Sequence, residues 1–268
     1  MADESNWRGV VEMLRRVATP KGRAASGFYS IEGIRLHERA LRASVPIQQV
    51  VVGESWEKRP FSRTHTLLQT LKKSNTPVTI VPDAVMDGLV NGRSLGSILS
   101  LIKLPQLPTI FELIAEADPP LLLVAVDVVD PGNVGAMVRT AHASGCTALV
   151  TVGVSDPFHP KAVRNSMGSI FKLPIVSYKD VADLLTDLHS ARIERVGTAV
   201  TGGTPLPNAK FEKGAAVLLG NEYFGLPDDL TTQLDTLVTI PMVSGIDSFS
   251  VNAAAAIILY EIQRNNEL

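Results

Sequence analysis

A junction near the middle of the chain constrains the fold more than any other stretch. Residues 121–126 are apolar throughout and end at Asp127. Asp130-Pro131-Gly132 is a turn signal, and apolar residues then recur at Val134, Met137, Val138 and Ala141, the spacing of one helix face. The pattern predicts a strand, a tight loop and a helix over 133–144. In open α/β folds such strand-to-helix loops are where ligands and chemistry gather. Asn133 and Gly135 fall near the predicted helix start, with Arg139 one turn further on. Its neighbours Val138, Thr140 and Ala141 suit a packed helix, so a guanidinium among them needs a partner or a use.

The same alternation continues to the carboxyl end. Strands are predicted at 148–152, 175–177, 195–199, 215–219 and 236–240. Helices are predicted at 160–166 and 180–190, a turn and helix at 225–234, and a long Ala-rich helix at 248–264. Strands alternating with helices imply a mostly parallel sheet. A hydrophobic content of 45% with only 5% aromatic fits the Val/Ile/Leu/Ala core of such sheets. Upstream, helices are predicted at 7–17, 34–43 and 64–74, with a short one capped by Asp83 and ending at Val90. Strands are predicted at 28–31, 47–52, 78–81 and 97–104, and 19–27 reads as a loop. Pro105, Pro108, Pro119 and Pro120 bracket a linker. The expected organisation is a small α/β domain over 1–106, a linker over 107–120, and a second α/β domain over 121–268.

A single cysteine, Cys146, excludes an internal disulfide and a cysteine-based metal site. No 18-residue apolar run exists and residues 1–4 are acidic, so a soluble, cytoplasmic protein is expected. The net charge is −2, but it is unevenly spread: residues 1–115 hold 15 Lys+Arg against 10 Asp+Glu, and the remainder 10 against 17. That split suggests polyanion contact through the first part, with compositional scatter as the plain alternative.

Three glycine-containing loops follow three of the later strands. They are 130–139, then Gly220-Asn221-Glu222-Tyr223-Phe224-Gly225-Leu226-Pro227, then Ile240-Pro241-Met242 through Gly245 to Ser248-Phe249-Ser250-Val251-Asn252. Glycines there permit positive φ or close backbone approach to a ligand. None forms G-x-G-x-x-G, and no G-x-x-x-x-G-K-[ST] occurs, so the usual dinucleotide and P-loop sites are unsupported. The histidines, His37, His65, His142, His159 and His189, show no metal-ligand spacing and read as surface or packing residues.

Asn133-x-Gly135-x-x-x-Arg139, G-N-E-x-x-G-L-P at 220–227 and I-P-M…S-F-S-V-N-A-A at 240–254 resemble, in order, the three motifs of the SpoU (TrmH-type) RNA ribose 2′-O-methyltransferases of the SPOUT superfamily. Arg164-Asn165-Ser166-Met167-Gly168 through Pro174 resembles the family's segment after its second strand. Phe28 to Arg35 and Gly96 to Lys103 resemble the attached RNA-binding domain, which is similar to small ribosomal RNA-binding proteins.

The resemblance implies an α/β fold with a trefoil knot in the C-terminal domain, an exception to the rule against knots. It implies S-adenosylmethionine held largely by backbone between the second and third loops, leaving as S-adenosylhomocysteine. That role falls first to Gly220, Ile240 and Phe249, then to Asn221, Glu222, Leu226, Met242 and Val251. The implied catalytic group is Arg139, Asn133, Glu222, Ser248 and Asn252. No metal is implied, and the chain is expected to be a homodimer whose site is completed across the interface. One departure stands out: the family's S-L-N-V-S reads here Ser248-Phe249-Ser250-Val251-Asn252, with the Asn and the second Ser exchanged.

Two roles are open to Arg139: a base for the ribose 2′-hydroxyl, or a charge that stabilises the developing alkoxide and grips the adjacent phosphate. The plain alternative is a helix arginine paired to Asp127 or Asp130. Asn133 could bond the arginine or RNA, or cap the helix, and Glu222 could order its loop. Arg8, Arg15, Arg16, Lys21, Arg23, Arg35, Arg39 and Arg164 are candidate RNA contacts, against a solvated basic face. The substrate is expected to be ribosomal RNA, large-subunit first, with transfer RNA second. The rivals are an RNA-binding relative without transfer activity and a nucleotide-dependent small-molecule enzyme.

Overall fold

The structure, a computed structural model, describes residues 5–57, 63–90, 98–211 and 214–266. Ser97 of the expected fourth strand and Gly96 of the stretch resembling the RNA-binding domain lie outside them. In chain order the elements are α1 (Ser5–Arg16), α2 (Pro20–Ser26), β1 (Phe28–Glu32), α3 (Ile34–Arg42), β2 (Ile47–Gly53), α4 (Glu54–Glu57), α5 (Arg63–Lys73), β3 (Val78–Val81), α6 (Asp83–Leu89), β4 (Ile98–Lys103) and α7 (Ile110–Ile114). They continue with β5 (Leu121–Val126), α8 (Pro131–Ala143), β6 (Ala148–Val152), α9 (Pro160–Asn165), β7 (Ile175–Tyr178), α10 (Val181–Ser190), β8 (Glu194–Thr198), β9 (Thr204–Pro205), β10 (Ala215–Leu219), α11 (Asp228–Thr231), β11 (Thr236–Thr239) and α12 (Val251–Asn266).

The chain divides into two compact units. The first is Met1–Pro105 with Phe158–Phe171, and the second is Gln106–Pro157 with Lys172–Leu268. Residues 158–171, which the sequence pattern places in the second domain, therefore pack with the first.

The first unit carries a four-stranded sheet in the order β1-β4-β2-β3. Its β1/β4 and β4/β2 pairs are antiparallel and β2/β3 is parallel. Val11, Leu14 and Val17 of the N-terminal segment pack with Val51, Val81, Leu99 and Leu101. Residues 20–26 are helical rather than looped. Thr19 Oγ1 accepts from Gly22 N–H at 3.1 Å, Pro20 opens the helix, and Gly27 closes it at φ 74°. These signals at both ends outweigh the glycine inside. Asp83 is not a cap either: Pro82 precedes the helix without a side-chain bond, and the Asp83 carboxylate accepts from Ser55 N–H at 3.1 Å.

The second unit is a seven-stranded sheet in the order β7-β6-β5-β10-β8-β11-β9, every pairing parallel. Its central strands β5 and β10 are buried at every residue, as sequences without polar positions require. The expected linker contains α7, opened by a capping box between Thr109 and Glu112. Helix α8 begins at Pro131, two residues before the expected start, because Asp130 is the cap: its Oδ1 accepts from Gly132 N–H at 2.7 Å. That relieves Asn133 of the capping role. From β5 the chain runs outward through β6 and β7, then crosses to β8, β10 and β11 on the other side. The carboxyl ends of β5 and β10 therefore flank a topological switch point, the usual ligand crevice of a parallel sheet.

Candidate active site

The loops after β5 and β10 are joined by one carboxylate. Glu222 Oε2 accepts from Val129 N–H at 3.1 Å, and its Oε1 accepts from Asp130 N–H at 3.1 Å and Asn133 Nδ2 at 3.0 Å. Burial pushes the Glu222 carboxyl up, but the Asn133 amide and the backbone donors outweigh it and leave it below the ordinary carboxylate value. A carboxylate with its lone pairs so occupied orders loops; it is poorly placed to take a proton. Asn133 thus bonds Glu222, not Arg139.

Asn221 organises the rest of the second loop. Its Nδ2 donates to Asp127 O at 3.0 Å, while its Oδ1 accepts from Tyr223 N–H at 2.9 Å and Phe224 N–H at 3.2 Å. Asn221 and Gly225 also exchange backbone hydrogen bonds of 3.1 and 2.9 Å. This pinches the loop onto Gly220, where a Cβ would stand 2.1 Å from the Gly225 carbonyl carbon. Only glycine fits there.

Arg139 lies on the exposed face of α8 and has no hydrogen-bond or ion-pair partner among the described residues. The pairing with Asp127 or Asp130 does not form. Asp127 Oδ1 accepts from Val154 N–H at 3.1 Å, and Asp130 Oδ1 caps the helix. The next residue, Thr140, donates to Asn252 Oδ1 at 2.8 Å, tying α12 to α8. Ser250 precedes α12, its carbonyl accepting from Ala254 N–H at 2.9 Å and its Oγ from Ala253 N–H at 3.4 Å. In the exchanged order, then, the Ser begins the helix and the Asn faces α8. Ser248 lies exposed in the loop before them.

A cavity of about 250 Å³ opens between the loops after β8, β10 and β11. It is slightly below the range of small-ligand sites, roughly 300 Å³ upward. Of the residues expected to hold a cofactor, Gly220, Asn221, Glu222, Ile240, Met242, Phe249 and Val251 line it, as does Ser248. Leu226 does not, being 8% exposed in the core beneath the loop. Thr198, Ala199 and Val200 line it too, as do Tyr223 and Phe224, and sequence reasoning passed over all five. The first three stand at the carboxyl end of β8, a position that could have flagged them. Backbone donors and acceptors beside apolar side chains suit an adenosine-bearing cofactor. Among the described residues no three His, Cys, Asp or Glu side chains group to hold a metal, and no helix is long and apolar enough to cross a membrane.

In the first unit Arg8, Arg15, Arg16, Lys21 and Arg35 are exposed, and Arg39 is half-buried. Arg15 and Arg164 line one groove of about 630 Å³ with His159 and Lys161. Arg164 Nη1 also donates to Glu32 Oε2 at 2.9 Å. Arg23 is excluded from any such surface. It is 3% exposed, and its Nη1 donates to Val17 O at 2.8 Å, holding α2 against the end of α1.

Fold and site together define a parallel-sheet α/β protein with a cavity beside its switch point, between the loops after β8, β10 and β11, and on helix α8 an exposed arginine without a partner among the described residues. Comparison with known proteins is specific: the model of the SpoU rRNA Methylase family matches residues 120–260, and the chain belongs to that family. It is 28% identical over 261 residues to the 23S rRNA (guanosine(2553)-2′-O)-methyltransferase RlmP of Bacillus subtilis, covering 97% of this chain and 98% of that one. The crystal structure of the AdoMet-bound rRNA methyltransferase from Sinorhizobium meliloti superposes with a TM-score of 0.81 at 25% identity, over 98% of this chain and 97% of that one. The SpoU methyltransferase AviRb of Streptomyces viridochromogenes, solved with AdoMet, shares the fold with a TM-score of 0.86 at 24% identity, over 97% and 98% of the two chains.

Proposed function

We propose that this protein transfers the methyl group of S-adenosylmethionine to a ribose 2′-hydroxyl of large-subunit ribosomal RNA, releasing S-adenosylhomocysteine. The observation that carries the reading is the Glu222 carboxylate, which binds the cofactor loop to the first turn of the helix bearing Arg139. The substrate class follows the printed activity of the Bacillus subtilis relative, matched over nearly the full length of both chains.

S-adenosylmethionine supplies an electrophilic methyl on a sulfonium, so the residues' task is to hold it and to manage the 2′-oxygen. The backbone from Gly220 to Asn221 and around Ile240 and Met242 would hold it, with Phe249 and Val251 as apolar wall. Arg139 would meet the charge that builds on the 2′-oxygen and grip the neighbouring phosphate. Its exposed position without a partner among the described residues suits that use. Asn133 and Glu222 position the helix start, and Asn252 steadies the next turn through Thr140.

The reading extends to assembly. Residues 1–106 would form the RNA-binding domain, 107–120 the linker and 121–268 the catalytic domain. Support for the first comes from its surplus of cations and from the groove that Arg15 lines with Arg164 of the 158–171 segment, which packs with it. The loops after β10 and β11 would form the knot, a view supported by β10 lying between β5 and β8 although β8 precedes it. The protein would work in the cytoplasm as a homodimer through the catalytic domain.

The test is transfer of labelled methyl to unmodified 23S ribosomal RNA and to transfer RNA, with the product read as nucleosides. A 2′-O-methylated nucleoside from 23S RNA is expected. Arg139→Ala should lower the rate by roughly 100-fold or more, the scale of losing one charge-stabilising donor, while cofactor affinity holds. Intact cofactor binding with no transfer to either RNA would defeat the reading.

A further inference from the structure

Tyr223 and Phe224 stand out on the second unit. They are 88% and 90% exposed, although both line the mouth of the cofactor cavity. Large aromatic side chains left in water beside a ligand site mark a surface kept for a partner. Their backbone is held in place: both N–H groups donate to Asn221 Oδ1, and the Asn221–Gly225 backbone pair closes the turn. The rings therefore ride on a preorganised loop, and little ordering is needed when a partner arrives. Their centroids are 6.5 Å apart at an interplanar angle of 56°, so they are not stacked on each other and each keeps a face free.

Charge narrows the choice of partner chemistry. Residues 116–268 carry 10 Lys+Arg against 17 Asp+Glu, and Asp228 and Asp229 follow the loop directly at the exposed start of α11. Such a surface repels phosphates at the place where, on the proposed function, a ribose must be brought to the cofactor. Stacking on an aromatic face is the grip on RNA that does not depend on positive charge, and it requires an unpaired base.

We propose that Tyr223 and Phe224 form a stacking platform for an unpaired RNA base at or beside the methylated ribose. This rests on the RNA methyltransferase reading. On it, the acidic catalytic unit holds the nucleotide by its base, while Arg139 meets the adjacent phosphate.

The test uses the full-length protein and an unmodified 23S ribosomal RNA transcript. Tyr223→Ala and Phe224→Ala should each raise the KM for RNA, and weaken RNA binding, by roughly ten-fold, the scale of one lost base stack. S-adenosylmethionine affinity by calorimetry and particle mass by light scattering should not change. Tyr223→Phe and Phe224→Tyr should behave as the parent protein, whereas Phe224→Leu should not. In Phe224→Trp, indole fluorescence should be quenched by a single-stranded RNA oligonucleotide and not by its abasic counterpart. Unchanged RNA binding and KM in both alanine variants would overturn the proposal. So would a fall in particle mass, which would make the rings a subunit interface, or lost cofactor affinity, which would make them its wall. If the parent protein transfers no methyl to any RNA, the catalytic reading fails separately; RNA binding and fluorescence quenching still decide the platform.

Discussion

At the scale of single residues, the site depends on two positions, one closed to any side chain and one dependent on its charge. Gly220 is closed in by backbone: a Cβ there would meet the Gly225 carbonyl carbon at 2.1 Å and Leu226 N at 2.4 Å. Neither can rotate aside as a side chain would, so Gly220→Ala must open the loop. The expected outcome is at least a ten-fold loss of S-adenosylmethionine affinity by calorimetry, with about 1–3 kcal/mol of stability lost to overpacking. Unaltered affinity would mean that the loop does not hold the cofactor. Glu222 gives a prediction in pH. Its carboxyl lies below the ordinary value in the folded protein, burial being outweighed by its Asn133, Val129 and Asp130 donors. The stability it contributes is therefore present above its unfolded value, near about 4.3, and is lost as pH falls through the lower folded value. Glu222→Gln should be destabilised most at neutral pH, and the gap to the parent should close towards pH 3 in urea titrations. A gap independent of pH would remove the carboxylate from the account.

At the scale of elements, the coupling of α8 and α12 puts Asn252 to use. Thr140 and Asn252 meet at 2.8 Å, so a double-mutant cycle with Thr140→Ala and Asn252→Ala should give a coupling of about 1 kcal/mol. A coupling indistinguishable from zero would mean that the exchanged Asn does not brace α8. Ser250→Ala should cost little, about 0.5 kcal/mol, because its capping contact is long at 3.4 Å. These elements differ in how far they were legible. The strands at 121–126, 148–152 and 215–219 are where apolar patterning places them, since burial on both faces leaves little room for ambiguity, and the half-buried strand at 78–81 also falls where expected. Helix α2 was not legible from pattern because its signals lie in Thr19, Pro20 and Gly27, at its ends, while its interior holds Gly22. The same local logic hid the work of Asn133. A residue at a helix start reads as a cap until the structure shows Asp130 already capping, and its true partner, Glu222, lies 89 residues away. Contacts across loops leave no periodicity in a sequence.

At the scale of the whole molecule, charge separation was legible, but the fate of each charge was not. Arg23 lies in a basic stretch and reads as surface, yet its guanidinium is spent on the Val17 carbonyl. His37 is the reverse case: a histidine read as surface or packing carries a strong pH dependence. It is fully buried; its Nδ1–H donates to Gly33 O at 2.8 Å, so its bare Nε2 accepts from Ser100 Oγ at 2.7 Å. That ring joins the start of α3 to β4, and its complete burial disfavours the charged form. Burial pulls its pKa down to about 4, with the Gly33 bond opposing weakly. For a base lowered in this way, stability is complete above the unfolded value near about 6.5 and falls as pH drops towards 4. The unfolded chain takes up the proton first, and roughly 3 kcal/mol is at stake across that window. The first unit should accordingly lose stability between pH 6.5 and pH 4, and His37→Gln should be weaker at pH 7 but lack that slope. Urea midpoints at pH 7, 5.5 and 4.5 decide it. Parallel slopes in parent and variant would assign the acid sensitivity to the carboxylates instead, and leave His37 as packing alone.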